Sequence, residues 1–247
     1  MVHWVWSAVE SVAILLHDDR CSLTHPSPLM LPKRFLYNFC CPCRYVEQLW
    51  TAQGAPLDET HRLPDFAALE DAPPQNDGTI DFRIGWNEKG MAFSVRVEGK
   101  KRRPWCRVTR PEDSDGIQLC IDTRDVRNIH RATRFCHRLF ILPGGSGLNQ
   151  AQPTPLWLPI NRAKAHPNPV PVERMSLGGK ITDTMYRLDF VIPADALTGY
   201  EPLEFHRIGF HYTIIDQDIG NRAFLHGFPY PYNEDPSLWA TLDLIKN

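Results

Sequence analysis

Residues 79–97 hold the strongest fold signal in the chain, two alternations of apolar and polar residues joined by a short turn. In both segments, 79–86 and 91–97, every second residue is apolar. A period of two is typical of a β-strand with one buried face. The residues between the segments, Asn87-Glu88-Lys89-Gly90, have the composition of a tight turn. The pattern therefore predicts a β-hairpin, which needs further strands or a covering layer to be stable.

Apolar alternation recurs along most of the chain. It predicts further strands at 35–43, 117–121, 134–142, 156–158, 180–192, 208–215, 222–225 and 238–245. The strand at 134–142 is predicted to end at the Pro-Gly-Gly sequence that follows it, and residues 193–197 are predicted to form one helical turn. About nine short strands with very little helix predict an all-β fold, an antiparallel β-sandwich of the immunoglobulin or jelly-roll kind.

The composition is that of an ordinary globular protein. Of the 247 residues, 43% are apolar and 23% are charged, and the formal net charge is -2. This balance gives no global attraction to nucleic acid or to acidic membranes, so we expect neither as a partner. No apolar run reaches the roughly 20 residues that a membrane-spanning helix needs. The basic run at 100–103 is predicted to be a solvated turn.

The seven cysteines are an odd number and lack the spacing of a secretory disulfide framework. Cys120 and Cys136 fall on predicted strands, where we expect them to fill small core positions. Free thiols and the lack of a readable signal peptide predict a cytoplasmic protein, although an extracellular location stays open.

The start of the chain has an alternative reading. Met30 opens a segment that resembles a natural start, so residues 1–29 are predicted to be a disordered or spurious extension. Residues 30–247 are then one domain. Detection of Met1 or Val2 by N-terminal mass spectrometry of the native protein would contradict a spurious extension.

Four segments together resemble a known family. They are YVEQLW at 45–50, WNEKGMAFSV at 86–95, DSDGIQLCID at 113–122 and DPSLWATL at 235–242. In their order and spacing they are similar to family 9 carbohydrate-binding modules, within the wider group of DOMON-like β-sandwiches. The resemblance implies a sandwich that binds sugars between aromatic rings, often with structural calcium.

The chain departs from this family at the two sugar-stacking tryptophans. One of them lies just before the Asp-Ser strand, where this chain has Pro111 and Glu112. The other precedes the final Asp-Pro-Ser, where this chain has Asn233 beside Tyr232.

Other side chains are candidates for a ligand site at one loop end of the sandwich. An indole or phenol ring can pack on the C–H face of a sugar, and arginine can bind its hydroxyls. The candidates for one wall are Trp105, Arg107 and Arg110, and those for the other wall are Tyr230, Tyr232 and Asn233. Each aromatic residue is also compatible with packing against the sandwich edge. Trp86 and Trp239 lie on or beside predicted strands and are expected in the core.

Metal and cofactor sites are predicted less directly. Asp113, Asp115 and Asp122 offer oxygens for calcium, or they form ion pairs and solvated turns. A haem or zinc site in the cluster of His130, Arg131, Arg134, Cys136 and His137, without an identifiable axial pair, and zinc bound by the cysteines at 40–43 are further alternatives.

The sequence contains no nucleophile elbow, no paired-carboxylate motif and no metal-hydrolase signature. We therefore predict a non-catalytic carbohydrate-binding module. The alternatives are a module that kept the fold for protein–protein contacts and a haem-binding domain.

Overall fold

A computed structural model describes residues 39–66, 78–227 and 229–246. The strands in this part are β1 (Cys40–Tyr45), β2 (Ile80–Asn87), β3 (Gly90–Glu98), β4 (Gly116–Asp122), β5 (Cys136–Ser146), β6 (Gln152–Trp157), β7 (Ser176–Ile181), β8 (Met185–Pro193), β9 (Arg207–Ile215), β10 (Arg222–Ala223) and β11 (Ala240–Ile245). Short 3-10 turns are the helical elements that connect them. The extension predicted at 1–29 lies outside the described residues and stays a prediction.

All eleven strands belong to one sheet that nearly closes on itself. Its order is β6-β5-β4-β9-β11-β1-β2-β3-β8-β7, and β10 pairs with β9. The strands at the two ends of this order, β6 and β7, lie against each other. Gly179 of β7 is so close to β6 that an added Cβ would lie 2.6 Å from the Pro153 side chain. The predicted all-β sandwich is confirmed, with one difference. Strand β1 runs parallel to both neighbours, β11 and β2, so the sheet is mixed.

The β2–β3 hairpin forms with its turn at the predicted residues 87–90. Asn87 pairs with Gly90, and the Asn87 side chain accepts a hydrogen bond from the Lys89 backbone N–H at 2.8 Å. Gly90 has a φ of 144°, and a Cβ there would collide with the Ile192 carbonyl oxygen of β8. Both the backbone angle and the close approach of β8 therefore require glycine at this turn.

The bounds of several strands differ from the predicted ones, as for β6 (predicted at 156–158), and two predictions differ more. The segment 180–192 contains the end of β7, a turn and most of β8, and at the turn the Thr182 hydroxyl accepts hydrogen bonds from the backbone N–H groups of Thr184 and Met185. Strand β5 continues through the Pro-Gly-Gly sequence to Ser146, with a register irregularity after Leu142. The predicted helical turn after β8 is present as a 3-10 turn, Ala194–Ala196.

Aromatic rings fill the space between the two halves of the sheet. Phe82 stacks on Tyr212 with ring centres 4.0 Å apart, and Phe93 stacks on Phe190 at 4.7 Å. Such pairs add about 0.5–1.5 kcal/mol each to the stabilisation from burial.

A smaller cluster packs on the outer side of β4 and β5. Trp239 lies there with Cys120 and Cys136, and Trp86 lies in the main core. Both tryptophans and both cysteines are buried, as predicted. Among the described residues, no helix has the length and hydropathy of a membrane span.

Candidate functional site

The outer face of β4, β5 and β9 carries polar side chains in register. Gln118 lies opposite Thr213, and Cys120 lies between Arg138 and His211. Residues paired directly across antiparallel strands point to the same side of a sheet. All five side chains are buried on this face, so their hydrogen bonds must be made there.

Arg138 is the centre of this polar face. Its Nη2 donates to Glu112 Oε1 at 2.5 Å and to Gln118 Oε1 at 3.2 Å. Its Nε has no hydrogen-bond partner among the described residues. The Arg138 side chain is 3% exposed, whereas that of Glu112 is 59% exposed. The Arg138 guanidinium is therefore held by buried Gln118 and by Glu112, whose carboxylate is accessible to solvent.

Tyr232 packs over the same residues from the C-terminal segment. Its ring centre lies 5.1 Å from that of His211, and its side chain hydrogen-bonds Thr213. Burial raises the pKa of the Tyr232 phenol, and the charges of Arg138 and Glu112 also act on it. We call the group of six the polar shelf; it consists of Glu112, Gln118, Arg138, His211, Thr213 and Tyr232.

The loop before β4 forms a separate pocket of about 560 Å³. Its lining residues are Pro104, Trp105, Cys106, Arg107, Val108, Thr109, Gly145 and Gln150. The Trp105 side chain is 36% exposed, and the Arg107 guanidinium lies 5.1 Å from its ring centre. We call this group of eight residues the Trp105 pocket.

The structure does not place the two predicted walls in one pocket. Trp105 and Arg107 line the Trp105 pocket, but Arg110 pairs with Asp113 at 2.7 Å outside its lining. Tyr232 belongs to the polar shelf. Tyr230 packs edge-on against His226 with ring centres 5.7 Å apart. Asn233 is partly buried beside Tyr232 and does not line the pocket.

The three carboxylates predicted to bind calcium also lie apart. Asp113 pairs with Arg110 in the turn before β4, and Asp115 pairs with buried Lys100 at 3.1 Å. Asp122 ends β4, about 20 Å from Asp115 by strand rise. It accepts hydrogen bonds from two backbone N–H groups, and burial raises its pKa. Within the described part of the chain, no group of three or more His, Cys, Asp or Glu side chains could hold a metal ion.

The residues considered as haem or zinc ligands are not arranged as a common binding site. His137 is fully buried on the core-facing side of β5, and burial lowers its pKa to about 4. Of the clustered cysteines, Cys41 and Cys43 are buried and Cys40 is exposed. Adjacent thiols with different exposure are poor tetrahedral ligands for one ion.

Sequence reasoning did not assign Gln118, Arg138 or His211 to a site. Each occupies an alternating strand position, where a polar residue normally indicates a solvent-exposed face. The sequence signal that could have pointed to this site is the pair Pro111 and Glu112, which lie near the place of a stacking tryptophan in the family that the chain resembles.

No protein-family model and no curated protein sequence match this chain. Solved structures do match it. A family 9 carbohydrate-binding module from Caldicellulosiruptor kristjanssonii in complex with cellotriose has a TM-score of 0.57 at 12% identity, over 84% of this chain and 94% of that chain. A module of the same family and organism in complex with glucose has a TM-score of 0.59 at 12% identity, over 84% and 96%.

A protein from Bacteroides uniformis that was proposed to bind carbohydrate has a TM-score of 0.50 at 8% identity, over 84% of this chain and 99% of that chain. At these identities the likeness concerns the fold. The chain has the β-sandwich fold of family 9 carbohydrate-binding modules.

Proposed function

We propose that the protein is a non-catalytic carbohydrate-binding module that holds a sugar on the polar shelf. The observation that carries the proposal is the buried Arg138 guanidinium, bracketed by Glu112 and Gln118 beside the Tyr232 ring. Sugar hydroxyls pair well with charged and amide groups, and sugar C–H faces pack on aromatic rings. Within the polar shelf, Glu112 and Tyr232 reach the surface and would make these two kinds of contact, and buried Arg138 and Gln118 hold Glu112 in place.

The family resemblance supports the same location. Its two stacking tryptophans correspond to the neighbourhoods of Glu112 and Asn233, which are about 120 residues apart in the chain. Glu112 bonds Arg138, and Tyr232, next to Asn233, packs on His211. Two positions far apart in sequence therefore meet at one face of the sheet. With one tyrosine in place of two tryptophans, we expect hydrogen bonds to contribute more than stacking.

A titration of the full chain with glucose and cellotriose tests this proposal. We expect saturable binding that Glu112→Ala weakens by about tenfold, because a hydrogen bond to a charged group contributes about 1.5–3 kcal/mol. Gln118→Leu, which keeps the side-chain size, should weaken binding as well. Trp105→Ala is the control outside the polar shelf. Unchanged affinity in both shelf variants would contradict the proposed site.

The titration also separates the sugar-binding function from a protein-interaction function. A folded wild-type protein that binds neither sugar would refute the proposed function and favour a protein-interaction function. An isolated sandwich that kept the fold for a protein partner would show this behaviour.

A further inference from the structure

The Trp105 pocket is rigid on the side that holds the indole. The Trp105 backbone N–H donates to Asp115 Oδ2 at 2.9 Å, and the Asp115 N–H donates back to the Trp105 carbonyl at 2.8 Å. Two residues on, the Arg107 N–H donates to Ser114 Oγ at 2.8 Å. The loop is thus hydrogen-bonded to the start of β4 on both sides of the exposed ring. A preformed surface loses less entropy when a ligand binds.

A buried ion cluster holds Asp115 in turn. Lys100 Nζ lies 3.1 Å from Asp115 Oδ2 and 2.7 Å from Asp216 Oδ2, and the Lys100 side chain is fully buried. Asp115 Oδ2 accepts hydrogen bonds from both Lys100 Nζ and the Trp105 backbone N–H. The Lys100 ammonium therefore helps to position Trp105 through this carboxylate. Lys100 is a positioning residue for the pocket.

Exposed apolar side chains collect at this pocket. Four large hydrophobic residues are exposed in the described part of the chain, and Leu203 is one of them. The other three are Trp105, Val108 and Leu148; the first two line the pocket, and Leu148 lies two residues from Gln150 of its lining. Apolar surface that is concentrated at a concave site indicates a ligand or partner.

The same loop carries unbalanced positive charge. Arg102 pairs with Asp218 at 3.0 Å, and Arg110 pairs with Asp113. Lys101, Arg103 and Arg107 are exposed and form no ion pair with any described residue. Burial raises the pKa of the Cys106 thiol, which lines the pocket, and the Arg103 charge opposes this shift. An anionic ligand would balance this surplus.

We propose that the Trp105 pocket is a second binding site, for a saccharide that carries a carboxylate or sulfate group. The C–H face of its ring would pack on Trp105, and the Arg107 guanidinium would bind the anionic group in a planar, two-point contact. Thr109 and Gln150 supply hydroxyl and amide partners in the lining. The saccharide class rests on the proposed function, whereas the anionic charge follows from the pocket itself.

A single-stranded nucleic acid is the other ligand with stacking rings and negative charge. The pocket volume of about 560 Å³ suits one or two sugar rings, not a groove that follows a nucleic-acid backbone. The net charge of -2 also gives the whole chain no attraction for polyanions. The saccharide is therefore the better fit.

Calorimetric titration of the full chain with tri-galacturonate, a sulfated heparin disaccharide and neutral cellotriose tests the proposal. We expect at least one anionic probe to bind, and Arg107→Gln to weaken that binding by about tenfold or more. Trp105→Ala should abolish it. Arg96→Gln removes an exposed arginine on β3 and should change nothing. Selective binding of the carboxylated or the sulfated probe would identify the anionic group.

The two proposed sites can fail independently. Loss of anionic binding in Trp105→Ala with cellotriose binding intact supports a second site, and loss of cellotriose binding in Glu112→Ala concerns the polar shelf alone. Anionic binding that is unchanged in both pocket variants, or absent in the wild type, would overturn the second site. Tighter binding of an oligothymidylate than of either anionic saccharide would overturn the saccharide assignment.

Discussion

Replacement of Lys100 by methionine should destabilise the protein more than any other single change of a charged residue that we consider. The ammonium lies 3.1, 2.7 and 3.3 Å from the carboxylates of Asp115, Asp216 and Asp218. All three carboxylates are at most 7% exposed. Methionine keeps the length of the side chain but removes the charge, so three buried anions would be left with Arg102 as the nearest cation.

The expected loss follows from the cost of an uncompensated buried charge. Removing one partner of a buried ion pair costs about 3–5 kcal/mol, against a total stability of about 5–15 kcal/mol. For a domain of this size, each kcal/mol lowers the melting temperature by about 2–4 °C, so we expect a decrease of about 6–20 °C.

The pH dependence gives a second readout. Burial lowers the pKa of Lys100, but the hydrogen bond with Asp216 and the Asp115 charge outweigh it, so the pKa is raised. The stabilisation from Lys100 is therefore fully present below its unfolded pKa and is lost as pH rises through the folded value. The pKa of Asp218 is lowered, because the Lys100 charge outweighs burial, so its stabilisation is lost as pH falls through the folded value. The difference in stability between wild type and variant should shrink on acidification, as the Asp218 carboxylate becomes neutral.

Differential scanning fluorimetry at several pH values measures both effects. The matched control is Lys246→Met, which removes an exposed ion pair with Glu88 at 2.9 Å and should change the melting temperature very little. If Lys100→Met has the same melting temperature as Lys246→Met, the buried ion cluster does not stabilise the fold and the reasoning is wrong.

Three further changes probe the fold. Burial lowers the pKa of His137 to about 4, below its unfolded value near 6.5. The free energy of unfolding should therefore fall as pH decreases from about 6.5 to about 4. His137→Leu should flatten this part of the pH–stability curve. Tyr186→Phe should leave the melting temperature equal or higher, because the buried hydroxyl has no hydrogen-bond partner among the described residues. Gly90→Ala should cost at least about 1–3 kcal/mol in denaturant unfolding, because φ is 144° and Ile192 lies too close; an unchanged midpoint would contradict this.

Apolar alternation was sufficient to predict the fold because each strand has one face in the aromatic core. The β2–β3 hairpin and strands β4 and β9 follow directly from it. The single strand predicted over 180–192 overlooked the break between β7 and β8, although the polar sequence Thr182-Asp183-Thr184 interrupts the apolar pattern at that turn. Apolar alternation could not predict the parallel pairing of β1 with β2. Parallel neighbours need a long connection between them, and apolar alternation does not show its path.

The candidate site was less predictable because it depends on strand register. Arg138 and Glu112 are 26 residues apart, and their contact exists because β5 pairs with β4 at Cys120. Lys100 opens the basic run that was predicted to be solvated, yet it is fully buried while its neighbour Lys101 is exposed. Residue type identified a cation in both cases, but the partner and the burial are set by tertiary contacts.

Strand β4 connects the two proposed sites and explains why they differ in kind. Asp115 immediately precedes the strand and fixes the Trp105 loop, whereas Gln118, three residues later, belongs to the polar shelf. The shelf is preorganised by the hydrogen-bonded register of a sheet, and the pocket by a buried ion cluster. A sheet face presents closely spaced donors and acceptors, which suits neutral hydroxyls, and an arginine-rich loop beside an indole suits an anionic ring. The two proposals together predict that one module would bind two chemically distinct parts of a polysaccharide when a few sugar units span both sites.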